Sequence, residues 1–157
     1  LSNEDIFIPN VGNKKIILTV GRISKEKGQY TALQSLKLLV ESGIKDLEWW
    51  FVGDGTDMVR CKSYVVHNKL EEYVRFFGAK LNPYPYMKNC DLYIQPSEHE
   101  GFCITLAEAK LFKMPIITTD FAGAHEQLST YSEFKIVGLD SGQISNAIKS
   151  WKLTGRL

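Results

Sequence analysis

The feature that most constrains this chain is an alternation. Short apolar runs rich in β-branched residues recur along it, and most give way to a glycine-bearing loop and then to a helical pattern. The runs are Lys15–Val20, Leu47–Val52, Tyr73–Phe77, Leu92–Gln95, Pro115–Thr119 and Phe134–Val137. A strand solvated on one face would alternate apolar and polar side chains. A continuous apolar run requires burial on both faces, the condition of a parallel sheet covered by crossover helices. The helices expected between the runs are Gln29 to Ser42, with Tyr30, Leu33, Leu36, Leu39 and Val40 on one face, Asp57 to His67, and Pro83 to Lys88. They continue with one from near Phe102 to about Lys113, a short one from Gly123 to Leu128, and a last one from an N-cap at Ser141 through Trp151. The expected fold class is α/β: a doubly wound, mostly parallel, six-stranded sheet with helices on both faces.

That architecture gives the polar motifs an address. In open α/β sheets, ligands bind beyond the carboxyl ends of the strands. The loops 21–28, 53–55, 78–82, 96–101 and 120–123 all follow strands, so they gather at one edge. Arg22, Lys27, Glu100 and the helix start near Phe102 would then face a common crevice. A helix start offers unpaired N–H groups and a partial positive charge, which suit an anion. Glu100 precedes Gly101 and that start, and Glu108 lies inside the helix, roughly 9 Å along its axis at about 1.5 Å per residue. A ligand presenting hydroxyls, then phosphate, then hydroxyls has the matching order. Arg22 offers a planar fork and Lys27 a point charge for a diphosphate, and Gly21 and Gly28 would let backbone approach it or take positive φ. Taken singly, each motif has an ordinary explanation: Glu98, Glu100 and Glu108 as solvated charges, Arg22 and Lys27 as a basic loop, Gly53-Asp54-Gly55 as a turn. Their convergence on one edge favours a site.

Composition removes several alternatives. The chain has 157 residues, enough for one domain with a real core, and a net charge of +1, which gives no reason to expect nucleic acid as a partner. There is neither a GxxxxGK[ST] loop nor a GxGxxG turn after the first strand, which argues against a P-loop and against dinucleotide redox binding. Cys61, Cys90 and Cys103 are odd in number and far apart, with no metal-ligand spacing, so neither a zinc site nor a disulfide framework is expected. No aspartate pair for a metal is evident. No apolar run reaches the ~18 residues of a membrane span, and nothing at Leu1 looks like a signal peptide, so a soluble, cytoplasmic chain is expected. Cys103, at a helix start, lacks the His–Asp pattern of a nucleophile. His67, His99 and His125 have no evident chemistry, and Trp49, Trp50, Tyr84, Tyr86 and Tyr93 read as core or crevice wall.

Five blocks in order, TVGRISKEKG, VGDG, FFGAKLNPYPYMKNCDLYIQPS, EHEGFCITLAEA with its E-x7-E spacing, and MPIITTDFAGAHE, cover most of the chain from about Leu18 to Glu126. Together they resemble the C-terminal, nucleotide-sugar-binding domain of retaining GT-B glycosyltransferases, of the family 4, or glycosyl transferases group 1, type. The resemblance implies that Arg22, Lys27 and Glu100 form the catalytic set: Arg22 and Lys27 hold the donor diphosphate and Glu100 takes hydroxyls of the donor sugar. It also implies that Gly21, Gly101 and backbone amides near Phe102, Cys103 and Ile104 complete the cradle, that Glu108 takes the ribose hydroxyls, and that Ala79 and Lys80 face the base. It leaves Glu126, in the family's G-x-x-E, unassigned. Where this chain has Cys103 the family often has a second glycine; the thiol either narrows the space beside the donor sugar or is neutral.

By the same resemblance no cofactor or metal is needed. The nucleoside-diphosphate sugar is the substrate, with a UDP-sugar slightly favoured, and configuration is retained. Residues 1–14 read as an interdomain segment, 15–151 as the donor domain and 152–157 as a truncated tail. An N-terminal acceptor domain, through which alone a membrane would be touched, would complete the enzyme, and this chain alone is expected to transfer nothing. Two other readings stay open: a non-catalytic nucleotide-sugar-binding module, and a GT-B epimerase or phosphorylase.

Overall fold

The structure is a computed structural model and describes residues 6–157. Six strands form one all-parallel sheet: β1 (Lys15–Val20), β2 (Leu47–Val52), β3 (Val74–Phe76), β4 (Leu92–Gln95), β5 (Ile116–Thr119) and β6 (Phe134–Val137). Their order is β3-β2-β1-β4-β5-β6. The first three strands step outward one way, and the chain then returns to lay β4 on the other side of β1. The carboxyl ends of β1 and β4 therefore flank the crevice where strand order reverses, which in such sheets is where ligands bind.

Helices cover both faces, as the uninterrupted apolar runs require. Side chains alternate across the sheet even though sequence polarity does not. Ile17, Trp49 and Phe51 join α1 (Gln29–Glu41), α2 (Met58–His67) and α6 (Ser141–Thr154) in one core layer. Ile16, Leu18, Val20, Trp50 and Val52 join α3 (Tyr84–Lys88), α4 (Ile104–Leu111) and α5 (Ala124–Leu128) in the other. The Trp49 indole, wholly buried, satisfies its N–H on Thr19 Oγ1 at 3.0 Å, and that hydroxyl donates to the Ile94 carbonyl at 2.7 Å, tying β2, β1 and β4 together.

Several boundaries differ from the sequence expectation for identifiable reasons. Tyr73 belongs to a 3-10 turn (Glu71–Tyr73) rather than to β3. The last helix is capped not by Ser141 but by Asp140, whose carboxylate accepts from the Gln143 amide at 2.9 Å; a charged acceptor suits the positive helix start. That helix runs past Trp151 to Thr154, and Leu157 packs back on the first core layer. Of the expected interdomain segment, residues 1–5 lie outside the described residues. Within the rest of it, Ile6, Ile8 and Val11 pack against the second core layer.

Candidate functional site

Two loops meet at the β1/β4 crevice. The first, between β1 and α1, carries Gly21, Arg22 and Lys27. Its shape is held by buried Gln29, whose side-chain amide donates to the Arg22 carbonyl at 3.0 Å and accepts from the Ser24 amide at 3.3 Å. The second, between β4 and α4, carries Ser97, Glu100 and Gly101. Thr119 donates to the Ser97 carbonyl, and Thr118 to the Gln95 carbonyl at 3.1 Å, fastening this loop to β5. The loops touch through the Glu98 amide, which donates to the Glu26 carbonyl at 2.7 Å. Gly28 lets them close: its φ is +76°, and a Cβ there would lie 1.8 Å from the Pro96 carbonyl oxygen.

Between the loops lies a cavity of about 260 Å³, lined by Gly21, Arg22, Lys27, Gln95, Glu100, Phe102, Cys103, Ile104 and Thr105 beside Val20. Seven residues singled out from sequence thus share one cavity: Gly21, Arg22, Lys27, Glu100, Phe102, Cys103 and Ile104. Gly101 lines an adjoining, more open cavity of about 450 Å³ together with Glu100, Phe102, Gly123, Glu126 and Gln127. Ala79 and Lys80 do not line either; they follow β3, two strands from the crevice. Glu108 also stands outside the lining. Because α4 begins at Ile104 rather than near Phe102, Glu108 lies one turn beyond Ile104 on the same face, about 6 Å along the axis. Its carboxylate is hydrogen-bonded to the Tyr84 hydroxyl, which it holds above the ordinary phenol pKa.

The charges are less free than the sequence suggested. Glu100 Oε1 accepts from Lys27 Nζ at 2.8 Å, from Ser97 Oγ at 2.8 Å and from Gln95 Nε2 at 3.2 Å. The carboxylate is 8% exposed and Lys27 24%, so this is a shielded, hydrogen-bonded pair rather than a solvated one. All three bonds fall on one oxygen, which leaves Oε2 available as an acceptor among the described residues. Arg22 is exposed, lines the cavity and has no carboxylate within ion-pair distance among the described residues. The uncompensated positive features of the cavity are therefore Arg22 and the start of α4.

At that start Cys103 occupies the N-cap position. Its amide, expected to be an open donor, is already paired: it donates to Gln127 Oε1 at 2.8 Å, while Gln127 Nε2 donates to the Cys103 carbonyl at 3.1 Å. The Gln127 side chain thus mimics a strand partner and pins the turn. The amides of Ile104 and Thr105, both lining residues, keep the unpaired character of a helix start. The Cys103 thiol is 2% exposed and lies 3.4 Å from Thr105 Oγ1. Burial outweighs the neighbouring hydrogen bonds and raises its pKa, so it is a protonated, space-filling group at neutral pH.

Sequence inspection missed Gln95, Ser97, Thr105, Gln127 and Gln29. Each is an uncharged polar residue acting through a pairing made only after folding. The one signal was Gln95, a polar residue closing an otherwise apolar strand.

Comparison with known proteins bears on the family and the fold. The profile of the Glycosyl transferases group 1 family matches residues 2–155. The chain is 31% identical over 134 residues to the 2-deoxystreptamine N-acetyl-D-glucosaminyltransferase of Niallia circulans, which covers 84% of this chain and 34% of that protein. It is 28% identical over 120 residues to the N,N'-diacetylbacillosaminyl-diphospho-undecaprenol alpha-1,3-N-acetylgalactosaminyltransferase of Campylobacter jejuni, covering 76% of this chain and 30% of that one. Among solved structures, Anabaena Alr3699/HepE in complex with UDP superposes with a TM-score of 0.83 at 22% identity, over 92% of this chain and 41% of its own. The fold is that of GT-B glycosyltransferases. The chain spans about a third of the length of the curated relatives it matches. It belongs to the glycosyl transferases group 1 family.

Proposed function

We propose that this chain is the donor-binding domain of a glycosyltransferase that moves a hexosyl unit, with retention of configuration, from a nucleoside-diphosphate sugar to a glycan or lipid-linked acceptor in polysaccharide or cell-surface glycan synthesis. The observation that carries the reading is the shared cavity of Arg22, Lys27, Glu100 and the start of α4 at the β1/β4 crevice. The activities named for the two relatives, both sugar transfers, support it, and the UDP held by the structural neighbour favours a UDP-sugar as donor. Acceptor binding falls to a further domain, in keeping with the fraction of the relatives that this chain spans.

In this reading the bond between the anomeric carbon and the diphosphate oxygen breaks, and the electron pair leaves with the diphosphate. Arg22 and the α4 amides stabilise the charge that develops there, the electrostatic contribution usually largest in such sites. Lys27 reaches the same anion while tethered to Glu100 Oε1, and Glu100 Oε2 accepts from a hydroxyl of the sugar. The acceptor hydroxyl attacks the anomeric carbon and gives its proton to an oxygen of the departing diphosphate. Glu108 lies beyond the helix start on the side given to the ribose. Neither glutamate acts as a general acid; both position the donor.

Calorimetry with UDP, GDP and ADP tests the assignment on the parent chain, Arg22→Ala and Glu108→Ala. Removing one hydrogen bond to a charged group, on the order of 1.5–3 kcal/mol, should weaken the preferred nucleotide at least tenfold in each variant. Parent-like binding by both would show that the site lies elsewhere. Robust sugar transfer by this chain alone would overturn the division between donor and acceptor domains.

A further inference from the structure

The residue that links the sheet to the charged pair is Gln95, the last residue of β4. It is 2% exposed, and all four of its hydrogen-bonding positions are used. Its Oε1 accepts from the Tyr93 hydroxyl at 2.7 Å and from Thr105 Oγ1 at 3.1 Å. Its Nε2 donates to Ser97 Oγ at 2.8 Å and to Glu100 Oε1 at 3.2 Å. Only one orientation of the amide is compatible with this surrounding. Reversing it would set the amide oxygen against the Glu100 carboxylate, two acceptors with no proton between them. Two hydroxyls, one from β4 itself and one from the first turn of α4, therefore aim one Gln95 N–H at Glu100 and the other at Ser97, which itself donates to Glu100. Glu100 in turn holds Lys27, whose flexible four-carbon stem has no fixed direction of its own.

We propose that Gln95 is a positioning residue of the donor cavity: it fixes the Glu100 carboxylate and, through it, the Lys27 ammonium toward the diphosphate. This rests on the reading that Lys27 faces a donor diphosphate, and goes beyond it by naming a buried neutral residue, hydrogen-bonded to Glu100 both directly and through Ser97, as one that sets where that cation stands. Leucine at position 95 fills nearly the same volume, leaves Ser97 and Lys27 on Glu100, and leaves the Tyr93 hydroxyl beside the Val20 carbonyl at 3.3 Å. Packing is kept, and the carboxylate loses the bond that ties it directly to β4.

The test is a double-mutant cycle on this chain, titrated calorimetrically with UDP, or with GDP or ADP where UDP gives no heat. Gln95→Leu should weaken binding about tenfold, Lys27→Met by at least as much, and the double variant no further than Lys27→Met alone, because Gln95 acts only through that cation. A merely structural Gln95 would give losses that multiply. Parent-like binding by Gln95→Leu, or multiplying losses in the double variant, overturns the inference while leaving the donor site intact. Parent-like binding by Lys27→Met, or no binding of UDP, GDP or ADP by the parent, overturns the donor-site reading itself. If Gln95→Leu does not fold, Thr105→Val takes its place in the cycle. It removes one of the two hydroxyls that orient the amide and keeps the side-chain shape. A severalfold loss that vanishes in the Lys27→Met background supports the inference; parent-like or multiplying behaviour overturns it.

Discussion

Replacing Gly28 by alanine should open the site mechanically. Gly28 sits at φ +76° between the loop that carries Lys27 and helix α1, and an added Cβ would stand 1.8 Å from the Pro96 oxygen and 2.8 Å from its carbonyl carbon. An ordinary C···O approach is about 3.3–3.6 Å, so the two loops must separate by roughly 1.5 Å. Left-handed backbone costs a non-glycine residue about 1–2 kcal/mol. Separation also breaks the 2.7 Å bond between the Glu98 amide and the Glu26 carbonyl, a loss of about 1 kcal/mol, and loosens packing at the seam by a similar amount. The expected destabilisation is about 3–4 kcal/mol. Gly43→Ala is the control. It has φ +93° but nothing within 4 Å of its added Cβ, so only the backbone cost of about 1–2 kcal/mol applies. Urea unfolding of the parent and both variants should show Gly28→Ala about 2 kcal/mol less stable than Gly43→Ala, with nucleotide binding weakened only in Gly28→Ala. Equal losses of stability would refute the reasoning, since the close approach to Pro96 would then contribute nothing.

Other outcomes follow from the same contacts. Gln127→Ala removes both bonds to the Cys103 backbone and should cost about 1–3 kcal/mol, with amide exchange at Cys103 accelerated at least tenfold in hydrogen-exchange NMR; unchanged protection there would mean the clamp is idle. Burial pushes the Cys61 thiol up to about 12, so from about pH 9 the unfolded chain loses a proton that the folded chain keeps. Its contribution to stability is whole below that point and declines as pH rises toward 12, and Cys61→Ala should flatten the alkaline decline in thermal melts. At the other end of the scale, burial acts to raise the pKa of Glu48. Hydrogen bonds from Arg75, at 2.6 Å, and from Trp50, with the charges of Arg75 and Lys14, outweigh it and hold the group below the usual glutamate value. Its contribution is present above about pH 4.3 and lost as pH falls through the lower folded value. An acid-unfolding curve of Glu48→Gln as steep as that of the parent would contradict this.

What the sequence determined by itself was the fold class and the edge of the sheet at which the candidate site residues gather. Apolar runs such as KIILTV and LEWWFV are local signals of burial on both faces, and such strands need helices on each side. The strand-to-helix loops must then share an edge, and this is why Arg22, Lys27, Glu100 and the start of α4 could be assigned to one crevice before any distance was known. The state of those groups was decided only by tertiary structure. Lys27 and Glu100 are 73 positions apart, and their pairing exists because Gly28 lets the first loop close on Pro96. The Cys103 amide is occupied because α5 delivers Gln127 from 24 positions away. Residues such as Gln29 and Gln127 carry no charge and sit outside the motif blocks, Gln95 lies inside one without a charge to mark it, and periodicity has nothing to say about their partners. Their role is to satisfy buried polar groups, and which group each one faces is fixed by packing between elements rather than by neighbours along the chain. At the helix start the sequence showed a candidate cradle for an anion. The folded structure showed that one of its amides and one of its cations are already engaged, and that Arg22 with the amides of Ile104 and Thr105 remain open.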